Sequence, residues 1–315
     1  MTASATVSST GLLRSGTSLR ERIDLPRRLN LAAALLMVAI VLILLGFIAW
    51  NGIQLFLHSH VAPASVLSAD WNPATDPNST GTYGILPFIA GTVGVTALAI
   101  LFATPLGVAL ALFLSEIAPR WARGVVQPAL EVFVGIPSVV YGWLGITLLV
   151  PWLRTNFSGI GFTVGFSWFA GSLVLTVMVL PTITSIAYDA FRVVPRELRD
   201  ASLALGTTRW QTIRHVLIPA SAAGVATAVV LGMTRAAGEA LAVQMVIGNR
   251  PVMPTSITQP MTTLTSQITL DMGNTVFGEP WNEALWTMSL VLLLISMAFV
   301  LLVRYLNRHA TEYSA

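Results

Sequence analysis

The chain has no cysteine, which excludes disulfides, thiol catalysis and cysteine-ligated metal sites. It has no lysine either: all 17 basic residues are arginine. A phosphate-binding loop of the G-x-x-x-x-G-K-[ST] type needs a lysine to reach the terminal phosphates, so this chain cannot form one. If ATP drives its work, another polypeptide must bind the nucleotide. Charge of either sign is scarce, at 10% of 315 residues against about 25% in a soluble domain. Histidines number only four, and no Ser/His/Asp constellation can be assembled from them. The alternating His58 and His60 lie on an expected outer loop, where two ligands without cysteine make a poor metal site, so none is expected.

In place of charge there is hydrocarbon, 55% of the residues being hydrophobic. Several apolar runs reach the ~20 residues that a helix needs to cross a ~30 Å hydrocarbon core. Open sheet edges cannot satisfy their backbone in lipid, so the expected class is an all-α polytopic membrane protein. Six helices are expected, near residues 31–50, 85–115, 125–152, 166–190, 219–247 and 284–303. Residues 1–30 read as a polar cytoplasmic tail, 51–84 as an extracytoplasmic loop, 85–303 as the main transmembrane domain with a loop at 192–219, and 304–315 as a second cytoplasmic tail. The run 31–50 is longer than a signal-peptide core and lacks a small-residue cleavage site, which makes it a retained helix.

The arginines fix an orientation for this scheme. Cytoplasmic segments would hold Arg14, Arg20, Arg22, Arg27, Arg28, Arg120, Arg123, Arg192, Arg196, Arg199, Arg209, Arg214, Arg304 and Arg308, and outer segments only Arg154 and Arg250. Positive charge inside places both termini in the cytoplasm. Arginines so dispersed leave no footprint for nucleic acid. Two helices carry breaking residues: Pro137 among Gly135, Gly142 and Gly145 in the third, and Pro181 in the fourth. Such breaks are tolerated where neighbouring helices or a wet cavity satisfy the freed backbone.

The loop between the fourth and fifth helices is charged yet helix-forming. Pro195 suits a first helical position and Glu197 its first turn. Leu198, Ala201 and Leu205 recur on one face, and Gly206 fits the left-handed residue that ends a helix. Thr208 with Gln211 three residues on makes a capping box for a second helix. There Trp210, Ile213 and Leu217 share a face, and Pro219 marks the return to the membrane. The insert reads either as an amphipathic helix pair on anionic headgroups or as a knob that docks a cytoplasmic partner.

At Asp200-Ala201-Ser202, Gly206 and Val216-Leu217-Ile218-Pro219 the chain resembles the permease subunits of binding-protein-dependent ABC importers. Their motif is written E-A-A-x3-G-x9-I-x-L-P, and every spacing is met here with conservative replacements. The resemblance implies a type I importer core of five helices plus an amino-terminal one. It also implies that Asp200, Ala201, Ser202, Gly206, Arg209, Trp210 and Pro219 couple the chain to an ATPase. ATP and Mg would then sit on partner subunits, with no cofactor on this chain. The segments "GIPSVVYGWLG" (135–145) and "GMTRAAGEALAVQMVIGN" (232–249) resemble phosphate permeases of the PstC type. That likeness implies a PstA-like companion permease, two PstB-like ATPase subunits and a PstS-like extracytoplasmic phosphate-binding protein. Sulfate or molybdate as the cargo, or the sister PstA role, remains open. So does a different class, an intramembrane enzyme or scaffold that acts without ATP.

Arg235 and Glu239 are spaced to share one face of the fifth helix, near the bilayer midplane. A charge there costs about 2.5–3.5 kcal/mol on insertion scales, so both are expected to pair with each other or face a wet path. A guanidinium makes two parallel bonds to an oxyanion, which makes Arg235 a pathway candidate and Glu239 its gate; a structural ion pair is the alternative. Glu131, expected to be buried, joins them near Ser138 and Tyr141, with capping or an interface role as the alternative. Ala228, Gly232, Ala236 and Ala240 form a small-residue stripe for close helix approach, against either a companion subunit or this same chain. Residues 248–283 make a long polar outer segment on which a binding protein could rest, though packing over the pore mouth would use the same composition.

Overall fold

The computed structural model describes residues 19–73 and 81–312, with side-chain surroundings for 27–73, 81–301 and 304–305. Arg14 and the side chains of Arg20, Arg22 and Arg308 lie outside the described residues. The chain forms two compact units, Met1–Trp50 and Asn51–Ala315. The described part of the first belongs to helix α1 (Leu19–Leu57), which extends past both ends of the expected 31–50 span. Its most apolar stretch has no buried residue. A helix apolar on every side suits hydrocarbon.

The second unit is built from α2 (Leu86–Leu112), extended by a π-turn at Phe113–Ile117, then α3 (Arg120–Gly135), α4 (Ser138–Leu144) and α5 (Val150–Phe157). Next come α6 (Trp168–Val193), α7 (Arg196–Ala204), α8 (Arg209–Thr212) and α9 (Ala222–Ala237). The chain ends in α10 (Leu241–Ile247), α11 (Leu264–Asp271) and α12 (Pro280–Glu312). A small hairpin pairs Trp71 with Tyr83 and Asn72 with Thr82.

Four stretches are long and apolar enough to cross a membrane: Arg27–Leu57, Leu86–Ile117, Trp168–Val193 and Pro280–Leu301. Two bent pairs pass the same test jointly, Arg120–Gly135 with Ser138–Ile160 at 95° and Arg209–Ala220 with Ala222–Ala237 at 68°. The crossings therefore number four to six; the expected helix 125–152 is bent at its breaking residues, whereas the expected continuous helix 219–247 is corrected to one interrupted at Ser221 and again at 238–240. The first bend follows from Pro137. Ile136, which precedes it, is extended at φ −67° and ψ 129°, as the proline ring requires of its neighbour. Pro181 has no such effect: α6 runs unbroken through it.

The core is organised around Ile183 of α6, which is fully buried. A Cβ on Gly107 of α2 would lie 3.0 Å from its Cγ2, and one on Gly232 of α9 would lie 2.6 Å from its Cγ1. Three helices thus close on one side chain because two of them offer glycine. Ala228 and Ala236 are buried with Gly232, so the small-residue stripe packs within this chain. A second core gathers Leu55, Phe88, Leu264 and Met288, with Trp71 edge-on to Phe88 at 5.1 Å. Beside it Glu283, 5% exposed, takes hydrogen bonds from Ser59 Oγ at 2.5 Å and meets His58 Nδ1 at 2.8 Å. These residues, which follow Leu57, hold that part of the second unit to α12. Among the described residues no group of three metal-ligating side chains occurs.

The outer segment 248–283 is less open than its composition suggests. Residues 261–267 are buried throughout, and Leu264 N donates to Thr92 Oγ1 of α2 at 2.9 Å. For these residues, packing within the chain accounts for the polar composition.

Candidate functional site

The insert has the two-helix form that its residues dictate. Pro195 stands at the N-cap of α7 with extended backbone, one position before the expected first turn, and Glu197 lies in that turn. Gly206 has φ +83°, a value that β-carbon sterics penalise in other residues. Both bonds of the Thr208–Gln211 capping box are present, at 2.8 and 3.3 Å. The turn is braced by three hydroxyls in mutual contact: Ser202 to Thr207 at 2.8 Å, Ser202 to Thr212 at 3.1 Å, and Thr207 to Thr212 at 3.0 Å. Ser202, at a motif position where the family writes alanine, therefore has a bonded reason for its hydroxyl.

Burial within the insert is one-sided. Ile213 and Leu217 enter the main core, whereas Trp210, which shares their expected face, is 62% exposed. Leu205 is 85% exposed, and Val193, Leu198 and Leu203 are exposed as well. Asp200, Ala201, Gly206, Arg209 and Pro219 are also exposed. Large apolar side chains on a charged, braced turn form a surface suited to a partner.

The second constellation differs from its expected form. Helix α9 ends at Ala237 and α10 begins at Leu241, so Arg235 and Glu239 do not share a helix face and form no ion pair. Arg235 Nη1 donates instead to Thr182 Oγ1 of α6 at 2.8 Å. Glu239 Oε1 accepts from Ala242 N at 3.1 Å, capping the start of α10. The Glu239 carbonyl takes a hydrogen bond from Thr265 Oγ1 of α11 at 2.8 Å. The Glu239 side chain and carbonyl, freed by the break, thus find partners on α10 and α11.

The two segments that follow a break face each other. A Cβ on Gly142 of α4 would lie 3.0 Å from the Cα of Ala242 on α10, an approach that only glycine permits. Tyr141, 6% exposed, donates its hydroxyl to the Phe133 carbonyl at 2.7 Å. That bond spans the bend at Pro137 and satisfies an end carbonyl of α3. Ser138 opens α4 and is half-buried. Glu131 is exposed rather than buried, since its turn of α3 has no neighbour there. Beside the α4–α10 contact lies a cleft of about 500 Å³ lined by Val139, Ile146, Phe166, Leu241, Gln244, Met245, Gly248 and Asn249. Arg235 and Glu239 are not in its wall. The break at 238–240 was missed because a lone glycine among alanines is tolerated inside a helix; Glu239 three residues before Ala242 was the available sign.

The family model described as "Binding-protein-dependent transport system inner membrane component" matches residues 103–312, and the chain belongs to this family. It is 52% identical over 283 residues to the probable ABC transporter permease protein YqgH of Bacillus subtilis, covering 89% of each chain. It is 36% identical over 298 residues to the phosphate transport system permease protein PstC of Mesorhizobium japonicum, covering 87% of this chain and 86% of that one. Its fold resembles a subunit of a bacterial ABC transporter involved in the import of the acidic polysaccharide alginate, with TM-score 0.62 and 18% identity over 92% of this chain and 99% of the other. A likeness to the inward-facing methionine transporter MetNI has TM-score 0.53 and 19% identity over 72% and 94% of the two chains. The chain is thus a membrane-embedded ABC importer permease and not an enzyme; ATP hydrolysis belongs to partner subunits. A substrate-binding protein completes such an importer.

Proposed function

We propose that this chain is one permease subunit of an ATP-driven phosphate importer, forming half of the pathway with a PstA-like companion. The observation that carries the substrate is the 36% identity to a phosphate permease over most of both chains. The chemistry agrees: a half-buried guanidinium, Arg235, stands at a break between helices with a hydroxyl partner that an oxyanion can replace. Sulfate or molybdate would meet the same chemistry, and the sister PstA role the same topology.

In this reading both termini are cytoplasmic and the protein sits in a bacterial cytoplasmic membrane. Residues 1–30 and 304–315 are the tails, 51–84 an outer loop, and 85–303 the permease domain with its coupling loop at 192–219. Two PstB-like ATPase subunits hold ATP and Mg, and a PstS-like protein delivers phosphate from outside. The ATPases grip Leu205 and Trp210 on the exposed side of the insert, beside Asp200, Ala201, Arg209 and Pro219, while Ser202 and Gly206 hold its turn. Their closure moves the insert and biases the membrane helices toward an outward-open arrangement. The anion then passes Arg235, while Glu239, Ser138, Tyr141 and Glu131 line or gate its route.

The test is ATP hydrolysis by the complex purified in mild detergent and reconstituted in lipid. Its binding protein would be loaded in turn with phosphate, sulfate or molybdate. Stimulation by phosphate alone is expected. Stimulation by another oxyanion instead removes the substrate assignment, and a chain that purifies without any ATPase removes the coupling assignment.

A further inference from the structure

Arg199 lies on α7 one residue before the motif and counted in the sequence only as a cytoplasmic charge. In the structure its Nη1 donates to the Val194 carbonyl at 2.7 Å, and its Nη2 to the Phe191 carbonyl at 2.7 Å and to Glu116 Oε1 at 3.1 Å. The Arg199 and Glu116 side chains are only 17% and 21% exposed. Phe191 and Val194 lie at the carboxyl end of α6, where carbonyls lack helical partners and a cation is favoured. Glu116 lies in the π-turn that ends α2 and is steadied by Ser115 Oγ at 2.7 Å. Arg123 of α3 in turn donates to the Ser115 carbonyl at 3.0 Å.

One guanidinium therefore joins the insert to the ends of two core helices, with a third bonded alongside. Among the described residues, Arg199 makes all the side-chain hydrogen bonds that α7 sends to the membrane helices; those of Ser202 stay within the insert. The backbone route from α6 into α7 is only the extended pair Val194 and Pro195, which by itself leaves the insert free to swivel. We infer that Arg199 is the positioning residue through which displacement of the insert reaches α2 and α6, with Glu116 as its counterpart. This rests on the reading of the insert as the ATPase contact.

The test uses the complete complex in lipid vesicles with Arg199→Gln, Arg199→Lys and Glu116→Gln, measuring ATPase retention, ATP hydrolysis and uptake of inorganic phosphate delivered by the binding protein. With Arg199→Gln the ATPase subunits stay bound and hydrolysis persists, while uptake per ATP falls about tenfold or more. Arg199→Lys and Glu116→Gln fall between, since each keeps part of the junction. The cysteine-free chain allows a second readout that does not depend on the cargo. A single Ser138→Cys, labelled by a thiol reagent on this chain, changes its reactivity when ATP is added. That change is lost with Arg199→Gln and reduced with Glu116→Gln, which decides the matter if the arginine variant fails to insert.

Uptake per ATP and labelling both unchanged overturn the inference. So does loss of the ATPase together with uptake, which would make Arg199 only a brace for the insert's shape. A separate pair, Leu205→Asp and Trp210→Ala, isolates the docking reading: if they leave the ATPase bound, that reading fails, whatever Arg199 shows.

Discussion

Gly206 offers a clean perturbation because its cost comes from the backbone alone. At φ +83° a Cβ on it would meet nothing within 4 Å, so no side chain is pushed. An L-residue in the left-handed region costs about 1–2 kcal/mol, equivalent to a roughly 5–30-fold change in a two-state ratio. The turn escapes that cost only by rotating, which breaks the Gly206 N to Leu203 carbonyl bond at 3.0 Å and pulls Thr207 away from Ser202 and Thr212. The exposed faces of α7 and α8 would then no longer be presented together. Gly206→Ala should weaken the affinity of the solubilised permease for its ATPase subunits by about that 5–30-fold factor. Gly206→Asn should weaken it less, because asparagine visits the left-handed region readily, and Gly206→Val more, because a β-branched residue is a true outlier there. Titration of labelled ATPase against each variant gives the ratios directly. Equal affinity for Gly206→Ala and the unsubstituted chain, or Asn weaker than Val, would refute the argument that this left-handed residue shapes the docking surface.

Glu239→Gln keeps the oxygen that caps α10 and should leave thermal stability in detergent nearly unchanged, whereas Glu239→Ala should lose about 0.5–2 kcal/mol; if Gln also abolishes uptake, the charge itself acts in the path. Tyr141→Phe leaves the Phe133 carbonyl only the longer bond from Ile136 N at 3.4 Å and should lower stability by about 0.5–1.5 kcal/mol, read as a lower melting temperature; an unchanged value would mean that water or lipid headgroups reach the bend. Gly232→Val places atoms where Ile183 already lies and should cost about 1–3 kcal/mol or more, with a melting temperature that drops even in the isolated chain. Arg235→Ala should depress phosphate uptake with ATPase association intact, since Arg235 touches Thr182 and not the insert; normal uptake would remove it from the pathway.

Short-range chemistry was legible in the sequence. The cap at Thr208 and Gln211, the left-handed Gly206 and the bend at Pro137 are each set by a few adjacent residues, and each appears where spacing put it. The apolar runs were legible too, because crossing hydrocarbon demands length that few other contexts require. Long-range partners were not. Arg235 and Glu239 looked paired because an unbroken α9 would have placed them so; the actual partners, Thr182 and Ala242, depend on a break that one glycine signals weakly. Arg199 looked like one positive charge among many, since Glu116 lies 83 residues away in sequence. Glu131 looked buried because a carboxylate in an apolar run usually is, and α3 departs from its continuation by 95° at Pro137.

The isoleucine held between Gly107 and Gly232 decides what kind of movement this molecule permits. A peg gripped from two sides, with Cβ-to-atom gaps of 3.0 and 2.6 Å if either glycine grew a side chain, cannot be ratcheted. Moving α2 or α9 along α6 by a residue would drive a real side chain into space already filled at crystal-like density. Sliding by a full residue between these helices is therefore costly, which favours movement of the trio together. What remains is rotation at joints, and the structure places three of them where a helix is interrupted: at Ile136–Pro137, at Ser221 and at 238–240. All three lie at the ends of the block or beyond it. Widening or narrowing a passage in this chain is thus a matter of swinging levers on a rigid frame.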